Sequence, residues 1–358
     1  MRSRVNLISL FVQELFDELN VDNIQYAILR NYESLPSKPM DTDYFDLDFL
    51  ILSGDLRSYI KAVNKIAGKY DLLVIKKLER EYVKTIRVAH IDPDGKVHSV
   101  QLDSHIAGQN WWGFFYLTED EILINKSLYK SYFVVSEFHQ HLFNWLDKLF
   151  FGNYVKQKYK INILRVLVEK NKDLSYFLSK VFGRELSDQL NIKIKSGDLE
   201  GTLAYRNKMI KKLRKYSFMN FPFLTIISNI KFYYFEVLLY IFPPGICCVM
   251  DESNDLLIDR CYRECMKAIL GDQIILTYEG TSKIKWLQFY LNQVFPIVRK
   301  GGLVFIRSSS KAQYITKKCI SFDGSYNNII EKILASNKTQ SFMGAANIYI
   351  GKNLVEKM

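Results

Sequence analysis

Residues 44–54 read YFDLDFLILSG, which sets Asp46 and Asp48 one residue apart at the mouth of an apolar run. Side chains alternate along a strand, so the two carboxylates share one face while Leu47, Phe49 and Ile51 share the other. Adjacent carboxylates repel each other unless a cation or hydrogen-bond donor lies between them. Magnesium takes oxygen ligands, characteristically one or two carboxylates together with substrate phosphates. A pair of such ions needs a third carboxylate from a neighbouring strand. VHSVQLDSH supplies Asp103 on the polar face of its own strand, opposite Val100 and Leu102. Asp46, Asp48 and Asp103 are therefore the candidate metal ligands and catalytic groups, with Mg²⁺ or Mn²⁺ as the expected ion. The competing reading makes the Asp-x-Asp pair a loop cap with no chemistry. Asp41 and Asp43 precede the strand and read as turn residues.

These groups need a sheet beneath them. Ile8, Phe11, Leu15 and Leu19 recur at helical spacing, an amphipathic helix rather than a signal peptide, because Glu14, Asp17 and Glu18 interrupt any apolar core. Strands follow at YAILR and FDLDFLIL. Asp55 is then placed to cap the helix DLRSYIKAVNKIAGKY. Further strands at DLLVIKK and YVKTIRVAHI lead through the turn Asp92-Pro93-Asp94-Gly95 into VHSVQLDSH. Segments 137–150, 160–170, 173–183 and 185–196 are helical, and RNKMIKKLRK (206–215) is densely basic, a solvated face or an anion-binding patch. Beyond Pro243-Pro244, strands ICCVM, QIILTYE, GLVFIRS and ANIYIG alternate with helices over 255–269, 282–299 and 325–336, a small parallel α/β unit. The expected fold is thus mixed α/β (α+β) in three parts: residues 1–135 with a mixed sheet, a helical connector over 136–240, and a small α/β domain over 241–358.

The motifs together carry a resemblance. YAILRNYESLP, FDLDFLI and VQLDSH resemble the nucleotidyltransferase-fold proteins of the DNA-polymerase-β superfamily, and more narrowly a bacterial group found among surface-polysaccharide (O-antigen and capsule, hence lipopolysaccharide) genes. That resemblance implies metal-dependent nucleotidyl or phosphoryl transfer from a nucleoside triphosphate to a sugar or phosphorylated acceptor. It places Asp46 and Asp48 at the metal-ligand positions, Asp103 at the third carboxylate, and Arg30 and Asn31 on the loop facing the nucleotide phosphates. The wider superfamily has Gly-Ser where this chain has Arg30-Asn31. FGRELSDQLNIKIKSGDLEGTLAYRNKMIKKLRK resembles the same group's helical connector. There a phosphate-binding loop of a thymidylate-kinase-like domain often follows. PPGICCVMDESNDLLIDR stands at that place without its glycines, lysine or Ser/Thr, so the C-terminal unit is expected to be a degenerate P-loop domain. The alternative for the whole chain is an inactive nucleotide-binding or scaffolding protein of the same pathway. A weaker one is a methyltransferase-like C-terminal domain, suggested by RKGGLVFIRSS.

The remaining composition narrows the partners. The 358 residues carry a net charge of +11, which favours anionic partners, although no aromatic-glycine RNA-binding motif accompanies the basic run. The cysteines form no zinc spacing or secreted disulfide framework, so the expected location is cytoplasmic. His139 and His141 differ by two on a helix and do not share a face. Lys148, Lys156 and Lys158 could reach phosphates, though solvated lysines are the simpler reading. Trp111-Trp112 is expected to cover a sheet edge. FPFLTIISNIKFYYFEVLLYIFPPGICCVM (221–250) is highly apolar, but Lys231 and Glu236 break it below a spanning length. It reads as a helix packed between domains, with peripheral contact with a membrane as the alternative.

Overall fold

The computed structural model describes residues 7–30, 32, 33, 35, 36, 44–76, 83–155, 157–241, 246–251, 255–265, 267, 273–278, 283–299, 302–308 and 346–350. The chain opens with α1 (Leu7–Val21), β1 (Tyr26–Arg30) and β2 (Tyr44–Ile51). After these come α2 (Leu56–Lys69), β3 (Leu73–Lys76), β4 (Val83–Ile91) and β5 (Val97–Ile106). Next are β6 (Gln109–Trp111), β7 (Phe114–Leu117), α3 (Glu119–Leu123), β8 (Ser127–Tyr129) and β9 (Tyr132–Val134). Seven of these strands form one mixed sheet in the order β3-β4-β5-β2-β1-β9-β8, while β6 and β7 form a separate ribbon.

Pairing within that sheet matches the side-chain alternation. β4 and β5 make the expected antiparallel hairpin, whereas β5 runs parallel to β2 with Asp48 opposite Asp103 and Asp46 opposite Gln101. One face is closed by α1 and α2, whose Phe11, Leu15, Phe16, Tyr59 and Val63 bury Leu47, Phe49 and Ile51 of β2 and Val100 and Leu102 of β5. The other face, carrying Ala27, Leu29 and Leu50, packs under Trp145, Leu146 and Leu149. Those residues belong to α4 (Glu137–Phe151), which opens a helical region of α5 (Gln157–Glu169), α6 (Asn171–Phe182), α7 (Arg184–Lys195), α8 (Arg206–Asn220) and α9 (Pro222–Ile241).

Two details depart from expectation. Asp55 sits at the N-cap of α2 but makes no side-chain cap; its carboxylate accepts the Gln25 backbone N–H at 2.8 Å and ties α2 to the start of β1. Trp111 and Trp112 do not lie along the edge of the large sheet. Trp111 stacks on Phe114 and tilts against Phe150, and Trp112 meets Phe151 and Phe232 edge-on.

The last unit comprises β10 (Ile246–Asp251), α10 (Asp255–Cys265), β11 (Gln273–Tyr278), α11 (Lys283–Phe289), a π turn over Tyr290–Val294, α12 (Phe295–Val298), β12 (Leu303–Ser308) and β13 (Ala346–Ile350). Its strands run parallel in the order β11-β12-β10-β13. The expected helix at 325–336 and most of the loop after β10 lie outside the described residues, as does Cys319. Cys247, Cys248, Cys261 and Cys265 are buried, free thiols within this unit. It docks on the β4–β5 hairpin: the Glu264 carboxylate accepts the Val97 N–H at 2.9 Å, Arg260 donates to the Asp94 carbonyl at 2.8 Å, and Arg87 and Ser99 donate to the Lys267 carbonyl. Among the described residues no helix is long and apolar enough to cross a membrane.

The first turn of α4 carries a titratable group buried in this packing. Ser136 caps the helix, its Oγ lying 3.0 Å from His139 Nδ1, and the imidazole stacks on Phe143. Burial pushes His139 down to about 4, with Glu121 and Asp173 opposing the shift only in part. In the unfolded chain the ring takes up its proton near pH ~6.5, so the unfolded state binds one more proton between the two values. Stability should therefore be full above about pH 6.5 and fall as the pH drops towards 4, by about 3 kcal/mol for this group. Urea denaturation at pH 7 and pH 4 checks it: a His139→Leu variant should lose less stability over that interval than the wild type. An identical loss in both would remove His139 as the source.

Candidate functional site

Asp46, Asp48 and Asp103 line one cavity of about 380 Å³, together with Arg30, Asn144, Lys148, Val155, Tyr159 and Ile163. Its floor is the sheet and its wall is α4 and α5. The floor is a row of polar side chains across four neighbouring strands, since Arg30 pairs with Asp48, Asp48 with Asp103, and Asp103 with Thr85. Leu50, two residues beyond Asp48 on the same face, is wholly buried under the helical region. The carboxylates thus lie where the covering helices give way to the cavity.

Arg30 reaches this row through an irregularity in β1. Strict alternation would aim it with Tyr26 and Ile28, both of which lie in the α1–α2 core. Between Ile28 and Arg30, however, the register slips, so that two residues of β1 stand against one of β2. A bulge of this kind re-aims the side chain that follows it. Arg30 Nε then donates to Asp48 Oδ2 at 2.6 Å, its Nη2 to Asp48 Oδ1 at 3.2 Å, and its Nη1 to Asp147 Oδ2 on α4 at 3.1 Å. Asp48 is only 5% exposed, and this two-pronged pairing is what a buried carboxylate needs.

Neighbouring groups respond to the same crowding. Burial alone would lower the Arg30 guanidinium, but Asp48, Asp147 and Asp103 outweigh it and keep the group firmly protonated. Desolvation raises Asp147 above the ordinary carboxylate range, with Arg30 pulling the other way. Desolvation also lowers His105, against the nearby Asp48 and Asp147 charges, and this favours a neutral ring. Asp103 is held from both sides: Thr85 Oγ1 donates to Oδ1 at 2.7 Å and Gln101 Nε2 to Oδ2 at 2.8 Å. The far ends of β2 and β5 are fastened by the Glu119 carboxylate, which accepts from Ser53 N, Ser53 Oγ and Ala107 N at 2.7–3.0 Å.

The sequence-predicted residues therefore fall as follows. The three aspartates and Arg30 share one cavity, while Asn31 and Lys156 lie outside the described residues. Lys148 lines the cavity, half-buried rather than solvated. Asp147 and Asn144 escaped the sequence reading, although Asn144, Asp147 and Lys148 at i, i+3 and i+4 on α4 share a face. An all-carboxylate oxygen set suits magnesium in kind. As the side chains stand, Asp48 faces a guanidinium and Asp103 faces Thr85 and Gln101. Among the described residues, no three His, Cys, Asp or Glu side chains are gathered closely enough to hold a metal ion.

Removing one partner of the Arg30–Asp48 pair should have unequal costs. Arg30→Ala strands a buried carboxylate and should cost about 3 kcal/mol. Asp48→Asn leaves Arg30 its contact with Asp147 and some solvent, and should cost about 1 kcal/mol. Urea unfolding of both variants tests the order, and a larger cost for Asp48→Asn would contradict it.

No protein-family model matches the chain, and neither does any curated protein. Among solved structures, the crystal structure of JHP933 from Helicobacter pylori shares 12% identity over 58% of this chain and 92% of that one, with a TM-score of 0.26.

Proposed function

We propose that the cavity binds the phosphates of a nucleotide and that the chain is a metal-dependent nucleotidyl- or phosphoryltransferase. One observation carries this reading: Asp46, Asp48 and Asp103 open into a single polar cavity that also contains Arg30 and Lys148. Carboxylates beside cations form a pocket able to take a polyanion and a divalent ion together. To hold magnesium, Asp48 and Asp103 would have to exchange their present partners Arg30, Thr85 and Gln101 for the ion beside Asp46; when bound, the ion would supply the charge that steadies the transferred phosphoryl oxygens. Lys148, from the helical wall, offsets phosphate charge directly. In this reading Asp103, oriented by hydrogen bonds from Thr85 and Gln101, would accept a proton from an acceptor hydroxyl. The resemblance of the motifs supplies the setting, the assembly of a surface polysaccharide, and the acceptor class, a sugar or phosphorylated sugar.

A second reading, nucleotide binding without turnover, is favoured by the Arg30–Asp48 pair. A guanidinium already neutralises Asp48, and an ion seeking that carboxylate must compete with it.

Calorimetric titration with Mn²⁺, then with a panel of nucleoside triphosphates, separates the readings. Transfer chemistry predicts metal-dependent nucleotide binding that weakens at least about tenfold in Asp46→Asn and Asp103→Asn, a loss of about 1.4 kcal/mol. Binding that ignores both substitutions and needs no metal supports the non-catalytic reading. No nucleotide binding under any condition would sink both. If Arg30 competes with the ion, Arg30→Gln should bind Mn²⁺ more tightly than the wild type.

A further inference from the structure

Helix α9 is built inside out. The residues it turns towards the protein include Thr225 and Ser228, both essentially fully buried. Thr225 Oγ1 lies 2.6 Å from Ser217 Oγ on α8, and Ser228 packs against Gly113 in the β6–β7 turn. Gly113 has φ +80°, and a Cβ there would come within 3.1 Å of the Ser228 Cβ, so the crossing depends on small residues on both sides. The outward face, by contrast, carries Phe223, Ile226, Ile227, Ile230, Tyr233 and Val237, each between 46% and 81% exposed. Their spacing of three and four residues makes one continuous stripe. The far end of α9 does meet the C-terminal unit, Tyr240 lying against Phe295 and under Arg299, but this stripe faces out.

Charge narrows what such a stripe can meet. Residues 201–250 hold seven basic side chains and one acidic one, Glu236. Lys208, Lys211, Lys212, Arg214 and Lys215 are exposed on α8, and the same helix ends in exposed Phe218 and Met219, which lead directly into the start of α9. We propose that the outward face of α9 and the basic face of α8 form a docking surface for the anionic surface of a lipid bilayer. An apolar stripe with isoleucine, phenylalanine and tyrosine, adjoining a run of cations, is the composition of a helix that lies in the interfacial plane. Tyrosine suits the boundary between headgroups and acyl chains. Lys231, exposed beside Ile230, can keep its ammonium among the headgroups while its stem lies with the apolar residues. A second copy of the chain is the poorer occupant, because it would bring the same cations against these. Lys231 and Glu236 interrupt the apolar run of α9, and no described helix is long and apolar enough to cross a membrane, so the proposal sets α9 along the surface rather than through it.

Co-sedimentation of the full chain with vesicles of phosphatidylcholine alone, and of equal parts phosphatidylcholine and phosphatidylglycerol, tests the assignment. The wild type should bind the anionic vesicles much more tightly than the neutral ones, and added salt should weaken that binding. Ile227→Glu/Ile230→Glu should abolish binding with an unchanged thermal midpoint, since both residues are exposed. Lys211→Glu/Lys215→Glu should weaken anionic-vesicle binding by at least about tenfold, each cation near such a surface being worth about fivefold. Failure of the wild type to bind anionic vesicles overturns the proposal, and so does binding unaffected by the isoleucine double variant. A dimer seen by light scattering that the isoleucine double variant disperses, without vesicle binding, would assign the stripe to self-association instead.

Discussion

A carboxylate withdrawn from water must find a positive partner, and Asp48 finds its partner in Arg30. Much of the architecture follows from that requirement. Arg30 can reach Asp48 only because β1 slips register by one residue. The guanidinium is then left with a third donor pointing away from the sheet, and Asp147 on α4 accepts it. One cation thus joins the sheet to the helical region beside the cavity. The apolar cores on the two faces of the sheet, one under α1 and α2 and one under α4, lie on either side of this polar link. Its contribution is positional: it sets where the floor and the wall of the cavity meet.

Much of the fold was legible from periodicity. Strand alternation at Asp46, Leu47, Asp48 and Phe49 assigns each residue to the face it occupies, and the same holds for Val100 to Asp103. The turn Asp92-Pro93-Asp94-Gly95 marks the hairpin, and the helices of the middle region fall within a few residues of their expected bounds. The parallel pairing of β2 with β5 was not legible. It joins segments some fifty residues apart, and nothing local to either states its partner. The short strands β6 to β9 hold three or four residues each, too few to show a period.

The site was legible to a lesser degree. Its floor could be found because polar residues interrupt an apolar strand. Its wall was less legible: Lys148 could be named as a cation able to reach phosphates, but Asn144 and Asp147 lie on the polar side of an amphipathic helix, where such residues look like ordinary solvated surface. The bulge that aims Arg30 leaves no mark in YAILR, a run with neither glycine nor proline. Helix α9 shows the converse, since apolar periodicity reports a face but not the direction in which that face points. Only the burial of Thr225 and Ser228 supplies the direction.

The way the C-terminal unit is attached has an evolutionary corollary. Four hydrogen bonds between it and the β4–β5 hairpin use a main-chain atom on one side: Val97 N, the Asp94 carbonyl or the Lys267 carbonyl. A joint made to the backbone survives substitution of the residues that present it, because every non-proline residue offers the same donor and acceptor. Among the described residues, none of the side chains lining the cavity belongs to that unit. Side-chain substitutions at the residues that present those main-chain atoms could therefore accumulate without loosening the joint.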